Sequence, residues 1–215
     1  MRQLVRTAPA ALPAVLRTPL AMTAALATAV LVALGILHFH DSGLTGIDAA
    51  ILPSLYPVQP PWRYVALAVD FGGEPVGSVI LIGLLSVVCW LVRRVRTAVL
   101  TVVGVVVTVA VTTVLKPVVG RTIHGEFLSY PSGHTALATA LALVVALLLT
   151  ERLGLGRAAG LALALGLALV AGLVMGWAEV ALGAHYPTDA LGGFCAALAA
   201  VPATAWVLDR VADRL

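Results

Sequence analysis

The stretch AVLTVVGVVVTVAVTTVLKPVVGRTIHGEFLSYPSGH, residues 98–134, decides how this chain is read. From Ala98 to Leu115 it carries no charge. An α-helix needs about 20 mostly apolar residues to cross a bilayer, so this run is close to one span. It ends at Lys116, the single lysine of the chain, which opens a hydrophilic island holding Arg121, His124 and His134. A charged or imidazole side chain beside hydrocarbon is expensive unless it has a task. One Lys, one Arg and two His between apolar runs therefore suggest a place built to hold an anion. A second island, EVALGAHYPTD at residues 179–189, adds His185 and Asp189.

Composition points to the bilayer as solvent. The chain has 215 residues, 61% hydrophobic and 11% charged, with mean hydropathy +1.06. A soluble domain carries about 25% charged residues. The formal charge of +3 does not indicate nucleic acid, because the basic residues are scattered through short segments and form no stripe. Cys89 and Cys195 both sit inside apolar runs, which gives neither a disulfide framework nor a metal motif.

The same apolar logic predicts six spans, roughly 19–37, 76–92, 98–115, 134–150, 158–177 and 188–208, without the two-residue alternation of a barrel strand. The expectation is an all-α polytopic bundle, with a segment at 1–18, a six-helix domain at 19–208 and a tail at 209–215. The first run is too long for a cleaved signal peptide and reads as a retained anchor. Gly160, Gly166 and Gly172 offer faces for close helix approach, or reflect Ala/Gly-rich composition alone. Ten of the 13 basic residues fall at one end of the predicted bundle; Arg63, Lys116 and Arg121 fall at the other. The positive-inside rule then puts both termini in the cytoplasm and both islands outside, in a plasma membrane of bacterial type. The outer segment 38–75, with Tyr56, Trp62 and Tyr64, suits the membrane–water interface, and a short interfacial helix is expected within 62–71.

Two clusters carry the chemistry. In Tyr130-Pro131-Ser132-Gly133-His134 the chain breaks just before an apolar helix, with Ser132 placed as N-cap. A helix start offers free N–H groups to phosphate. Alternatively the tetrapeptide simply caps a span and His134 is an interfacial residue. In His185-Tyr186-Pro187-Thr188-Asp189 the His and Asp are four apart, so on a helix they share a face. A carboxylate on one imidazole nitrogen leaves the other as nucleophile or base; Asp189 could equally cap the last helix. Lys116 and Arg121 add cations on the same side, although Lys116 could also snorkel to the headgroups. Together these groups fit phosphoryl transfer: one His attacks, a second protonates the leaving oxygen, and cations with helix N–H groups hold the other oxygens. Nothing in the pattern demands a metal, since no acidic cluster stands out and the His residues are dispersed.

The order Lys…Arg, Pro-Ser-Gly-His and Gly-x-His-x-x-x-Asp resembles the type-2 phosphatidic acid phosphatase family of integral membrane lipid phosphatases, over residues 20–208. The resemblance implies a six-helix core, a metal-free reaction with no cofactor, and a phosphorylated lipid as partner. It implies His185 as nucleophile, Asp189 as its orienting group and His134 as general acid. Lys116, Arg121, Ser132 and Gly133 would contact phosphate. The implied reaction is hydrolysis of a lipid phosphomonoester or diphosphate through a phosphohistidine.

The chain also departs from that pattern. The family's first motif is Lys, six residues, then Arg-Pro; here those last positions hold Ile123 and His124. The third motif normally begins Ser-Arg, and here those positions are Ala178 and Glu179. Two phosphate-clamping arginines are absent and one is replaced by an acid. Glu179 and His124 are therefore the residues expected to modulate the site, with Glu179 either paired to Arg121, protonated, or turned to a substrate hydroxyl. A member that binds a phosphorylated lipid with little turnover, or acts on a sugar-lipid phosphate, is the alternative.

Overall fold

The computed structural model describes residues 8–44 and 46–214; Arg2 and Arg6 of the N-terminal segment lie outside it. A one-turn 3-10 helix, Ala14–Leu16, leads into α1 (Arg17–Leu37). Then come α2 (Gly46–Leu55), α3 (Trp62–Asp70), α4 (Pro75–Leu91) and α5 (Val95–Val119). A small antiparallel hairpin follows, β1 (Thr122–Ile123) against β2 (Phe127–Leu128), with Thr122 opposite Leu128. The chain closes with α6 (Gly133–Arg152), α7 (Arg157–Ala181) and α8 (Pro187–Ala212).

Local chemistry sets several boundaries. Gly120 adopts φ +67 and its N–H bonds to the Lys116 carbonyl, ending α5 in a left-handed cap. Ser132 caps α6, accepting the Thr135 N–H at 3.2 Å as expected. Pro75 and Pro187 occupy first helical positions, where a missing N–H costs nothing.

Among the described residues, five helices are long and apolar enough to cross a membrane: Ala14–Leu37, Val95–Val119, Gly133–Arg152, Arg157–Ala181 and Pro187–Ala212. The sixth expected span differs. Helix α4 alone has 17 residues, and it qualifies only together with α3, from which it is bent by 64°. The break falls at Gly72-Gly73, and the helix expected within 62–71 is the first arm of this broken pair, Trp62–Asp70. Met22, Ile36, Val79, Trp90, Val106 and Leu173 are exposed along the helices, as a lipid-facing surface requires. The protein is a polytopic helical membrane protein.

Helix α8 lies at the centre and touches α1, α5, α6 and α7. Its early turns are narrow for a reason: a Cβ added at Gly193 would overlap the Ser132 carbonyl, and one at Gly192 would meet the Tyr130 ring at 2.5 Å. The start of α8 is thereby pressed against the start of α6, which brings the two hydrophilic islands together. Of the three glycines expected to mediate close approach, Gly160 faces Thr150 and Gly172 faces Phe194, whereas Gly166 has nothing within 4 Å.

The loops holding both islands share one end of the bundle with α2, α3 and residues 71–74. At the opposite end Asp209 accepts the N–H groups of Ala11 and Leu12 at 2.8 and 2.9 Å, and Arg96 bridges Asp209 and Asp213 at 3.4 and 2.7 Å. That clasp fastens the N-terminal segment to the last helix.

Candidate active site

His134 lies in the first turn of α6 and His185 just before α8. Between them stands Glu179, from the last turns of α7. Its Oε2 is 3.2 Å from His185 Nε2, 3.8 Å from His134 Nδ1 and 3.5 Å from Ser132 Oγ. The two imidazoles therefore flank a single point. His185 and Glu179 are nearly sealed from solvent, and the His134 side chain is 28% exposed.

Behind His185 sits a buried polar network. Asp189 Oδ2 accepts the Tyr186 N–H at 2.9 Å and lies 3.5 Å from His185 Nδ1, so one carboxylate both caps α8 and faces the imidazole. The second contact is too long for a formed hydrogen bond. Asp189 Oδ1 accepts from Arg121 at 2.6 Å. Arg121 also donates to Thr188 Oγ1 at 2.7 Å and to Asp48 Oδ2 at 2.6 Å, and its guanidinium stacks on the Tyr186 ring. Asp48 completes the cage by accepting the Thr188 N–H and hydroxyl. Burial pulls the Arg121 pKa down, but Asp189 and Asp48 outweigh it and raise it, so the guanidinium stays charged.

Arg121 differs from its expected role as a phosphate contact. It has no exposed surface, and both forks of its guanidinium are held by carboxylates. Nor does it pair with Glu179. Lys116 instead donates to the Leu128 carbonyl at 3.1 Å from the last turn of α5 and stays partly exposed. Ile123, where the motif expects arginine, is buried in β1. His124 donates from Nε2 to the Gly183 carbonyl at 2.8 Å, tying the first island to the second. Ser132 and Gly133 lie at the start of α6, directly before His134, with Ser132 capping the helix through the Thr135 N–H.

Several residues of this region carry no motif. Asp70, at the end of α3, places Oδ1 3.8 Å from His134 Nε2, and Glu74 places Oε1 at 3.9 Å from the same nitrogen. Gly73 makes this approach feasible, since a Cβ there would overlap the His134 ring. Asp48 and Asp70 each end up at a helix edge in apolar surroundings, GIDAAIL and ALAVDFGG. An acid in such a setting is a sequence signal of a partner or a task, and it is the signal that could have found them.

His134 also forms part of the wall of a groove of about 600 Å³ between α4, α5 and α6, whose other walls include Ile82, Val105, Val109 and Leu137. A second apolar groove of about 300 Å³ runs between α2, α7 and α8, past Ile51, Leu173 and Phe194, with no titratable side chain in its lining.

The PAP2 superfamily model matches residues 97–212, more than half of the chain and the whole of both islands. Among solved structures the fold is similar to the crystal structure of a transmembrane PAP2-type phosphatidylglycerolphosphate phosphatase from Bacillus subtilis. The TM-score is 0.70 and the identity 21%, over 88% of this chain and 96% of that one. At that identity the likeness is one of fold. No curated protein sequence matches the chain.

Proposed function

The chain belongs to the PAP2 superfamily, and from that premise we propose that it is a lipid phosphate phosphatase. It would hydrolyse a phosphomonoester or diphosphate of phosphatidic acid, phosphatidylglycerol phosphate or polyprenyl diphosphate type, at the extracytoplasmic face of the plasma membrane. The observation that carries the reading is the placement of His134 and His185 about one oxygen of Glu179, at the start of α6 and beside an apolar groove. A phosphate headgroup fits between two imidazoles, and an acyl or prenyl chain fits a groove lined by valine and leucine.

The steps follow from the atoms. His185 Nε2 attacks phosphorus; an N–P bond forms while the P–O bond to the lipid breaks. Asp189, clamped by Arg121, orients His185 through Nδ1 and stabilises the imidazolium, and its 3.5 Å contact shortens as positive charge develops. The leaving oxygen departs on the His134 side and is protonated there. Water then attacks the phosphorus, the N–P bond breaks, and inorganic phosphate leaves. Before any of this, phosphate must displace Glu179 from His185 Nε2.

Glu179 also favours a second reading, in which a phosphorylated lipid or sugar-lipid binds and turnover is slow, because a carboxylate occupies the attacking nitrogen. Phosphate release from a panel of lipid phosphates by the detergent-purified protein separates the two. Release from at least one lipid phosphate is the expected result. Binding of the same lipids with no release above the His185→Ala background would select the second reading.

A further inference from the structure

Helix α2 reverses the usual pattern of burial. Ile47 and Ile51 are exposed, and the one side chain that α2 buries among the described residues is its acid, Asp48, which has no exposed surface. Burying a carboxylate is costly unless it is paired and hydrogen-bonded, and an apolar residue would anchor a short helix at lower cost. The hydrogen bonds of Asp48 lead towards His185. Its Oδ2 accepts from Arg121 and from the Thr188 hydroxyl, both at 2.6 Å, and its Oδ1 accepts the Thr188 N–H at 2.8 Å. That N–H belongs to the first turn of α8, where a helix offers no acceptor of its own. Arg121 in turn donates to Asp189 Oδ1 at 2.6 Å, and Asp189 Oδ2 faces His185 Nδ1 at 3.5 Å. The series Asp48, Arg121, Asp189, His185 thus runs from α2 to the start of α8, and its first three side chains are fully buried.

The charges in this series do not cancel. One guanidinium stands between two carboxylates, which leaves one negative charge in excess. Bonded to Asp189 alone, Arg121 would neutralise it, and the carboxylate would offer the imidazole little net attraction. With Asp48 on the other fork the guanidinium is shared. The surplus negative charge then acts on the positive charge that develops on His185 as the N–P bond forms, in surroundings where low dielectric strengthens it. We propose that Asp48 is a positioning residue of the reaction: it shares Arg121 with Asp189 and fixes Thr188, so that Asp189 holds the His185 Nδ1–H and stabilises the imidazolium. The proposal rests on the phosphatase reading and deepens the nucleophile's half of it. Asp48 touches neither the phosphate nor the imidazole, and no proton moves to it. The imidazole proton stays on Nδ1, facing Asp189.

The test separates positioning from mere anchoring of α2. The detergent-purified full chain is mixed with phosphatidic acid carrying radiolabelled phosphorus, followed through a single turnover and quenched in alkali, and label on His185 is counted per folded molecule. Asp48→Asn and the smaller Asp48→Ser both remove the charge. At saturating lipid each should label His185 about tenfold or more slower than the wild type, while the half-saturating lipid concentration stays within about threefold. Asp48→Asn/Arg121→Gln removes one charge of each sign and leaves the surplus on Asp189, so it should label about fivefold or more faster than Asp48→Asn alone. A second loss would not repair a lost anchor. Asp209→Ala, which breaks a buried acid–arginine contact at the other end of the bundle, should lose thermal stability and label at the wild-type rate. Wild-type labelling by the neutral Asp48 variants, a double variant no faster than Asp48→Asn, or failure of both neutral variants to fold assigns Asp48 to stability alone and overturns the proposal. A wild type that labels His185 and releases phosphate upholds the phosphatase reading whatever the Asp48 variants do. A wild type with neither label nor release removes that reading and the role of Asp48 with it.

Discussion

Glu179 Oε2 lies 3.2 Å from His185 Nε2, the nitrogen proposed to attack phosphorus. In the PAP2 pattern this position is an arginine whose charge would attract the substrate. Here the sign is reversed at the centre of the site, and the fold supplies two further acids, Asp70 and Glu74, on the other side of His134. The same exchange explains why His185 Nε2 is covered by a carboxylate.

Glu179→Arg should restore the family's charge pattern. It removes the carboxylate and puts a guanidinium beside both imidazoles. We expect the variant to release phosphate from a simple lipid phosphate faster than the wild type. A variant that releases phosphate more slowly than the wild type would mean that Glu179 has its own role in the site.

Arg121 is read as a structural clamp rather than a phosphate ligand. Arg121→Leu leaves the carboxylates of Asp48 and Asp189 buried and unpaired, a loss of about 3–5 kcal/mol. The milder Asp48→Asn should cost about 1–3 kcal/mol. Thermal unfolding in detergent reads both. Native-like stability of Arg121→Leu with only a raised KM would return Arg121 to the role of substrate contact.

Gly73 is the hinge that brings Asp70 and Glu74 to His134. A methyl group in Gly73→Ala overlaps the His134 ring, so the ring or the 71–74 turn must move. A displacement of about 1 Å in a catalytic group lowers turnover roughly 10²-fold. Helix content should be retained, as circular dichroism would record. Wild-type turnover in this variant would contradict the close approach.

Asp209, at the other end of the bundle, should affect stability alone. Asp209→Ala leaves the Ala11 and Leu12 N–H groups without their acceptor and deprives Arg96 of one partner, costing about 2 kcal/mol or more. Turnover per folded molecule should match the wild type. A parallel loss of turnover would show that the N-terminal clasp reaches the site.

Much of this architecture was legible in residues, and the failures have physical causes. Span positions followed from apolar length alone, because a bilayer leaves few alternatives to a helix of about 20 residues. The Ser132 cap was readable because capping is local. The broken span was not: α4 is too short alone, and only packing shows that α3 continues it after Gly72-Gly73. The clamp around Arg121 was not legible because a sequence gives a charge without its partner, and one partner, Asp48, lies 73 residues away. Asp70 was missed for the same reason: it approaches His134 across 64 positions of sequence, beside a Gly73 whose missing side chain leaves room for the ring.

The central claim is that His185 Nε2 becomes covalently phosphorylated. The purified protein is mixed briefly with a lipid phosphate carrying radiolabelled phosphorus and quenched in alkali, where phosphohistidine survives. Label on the peptide containing His185, absent from His185→Ala together with a fall in phosphate release of at least about 10³-fold, is the predicted result. Phosphate released at the wild-type rate by His185→Ala, or label carried by a different residue, would contradict it.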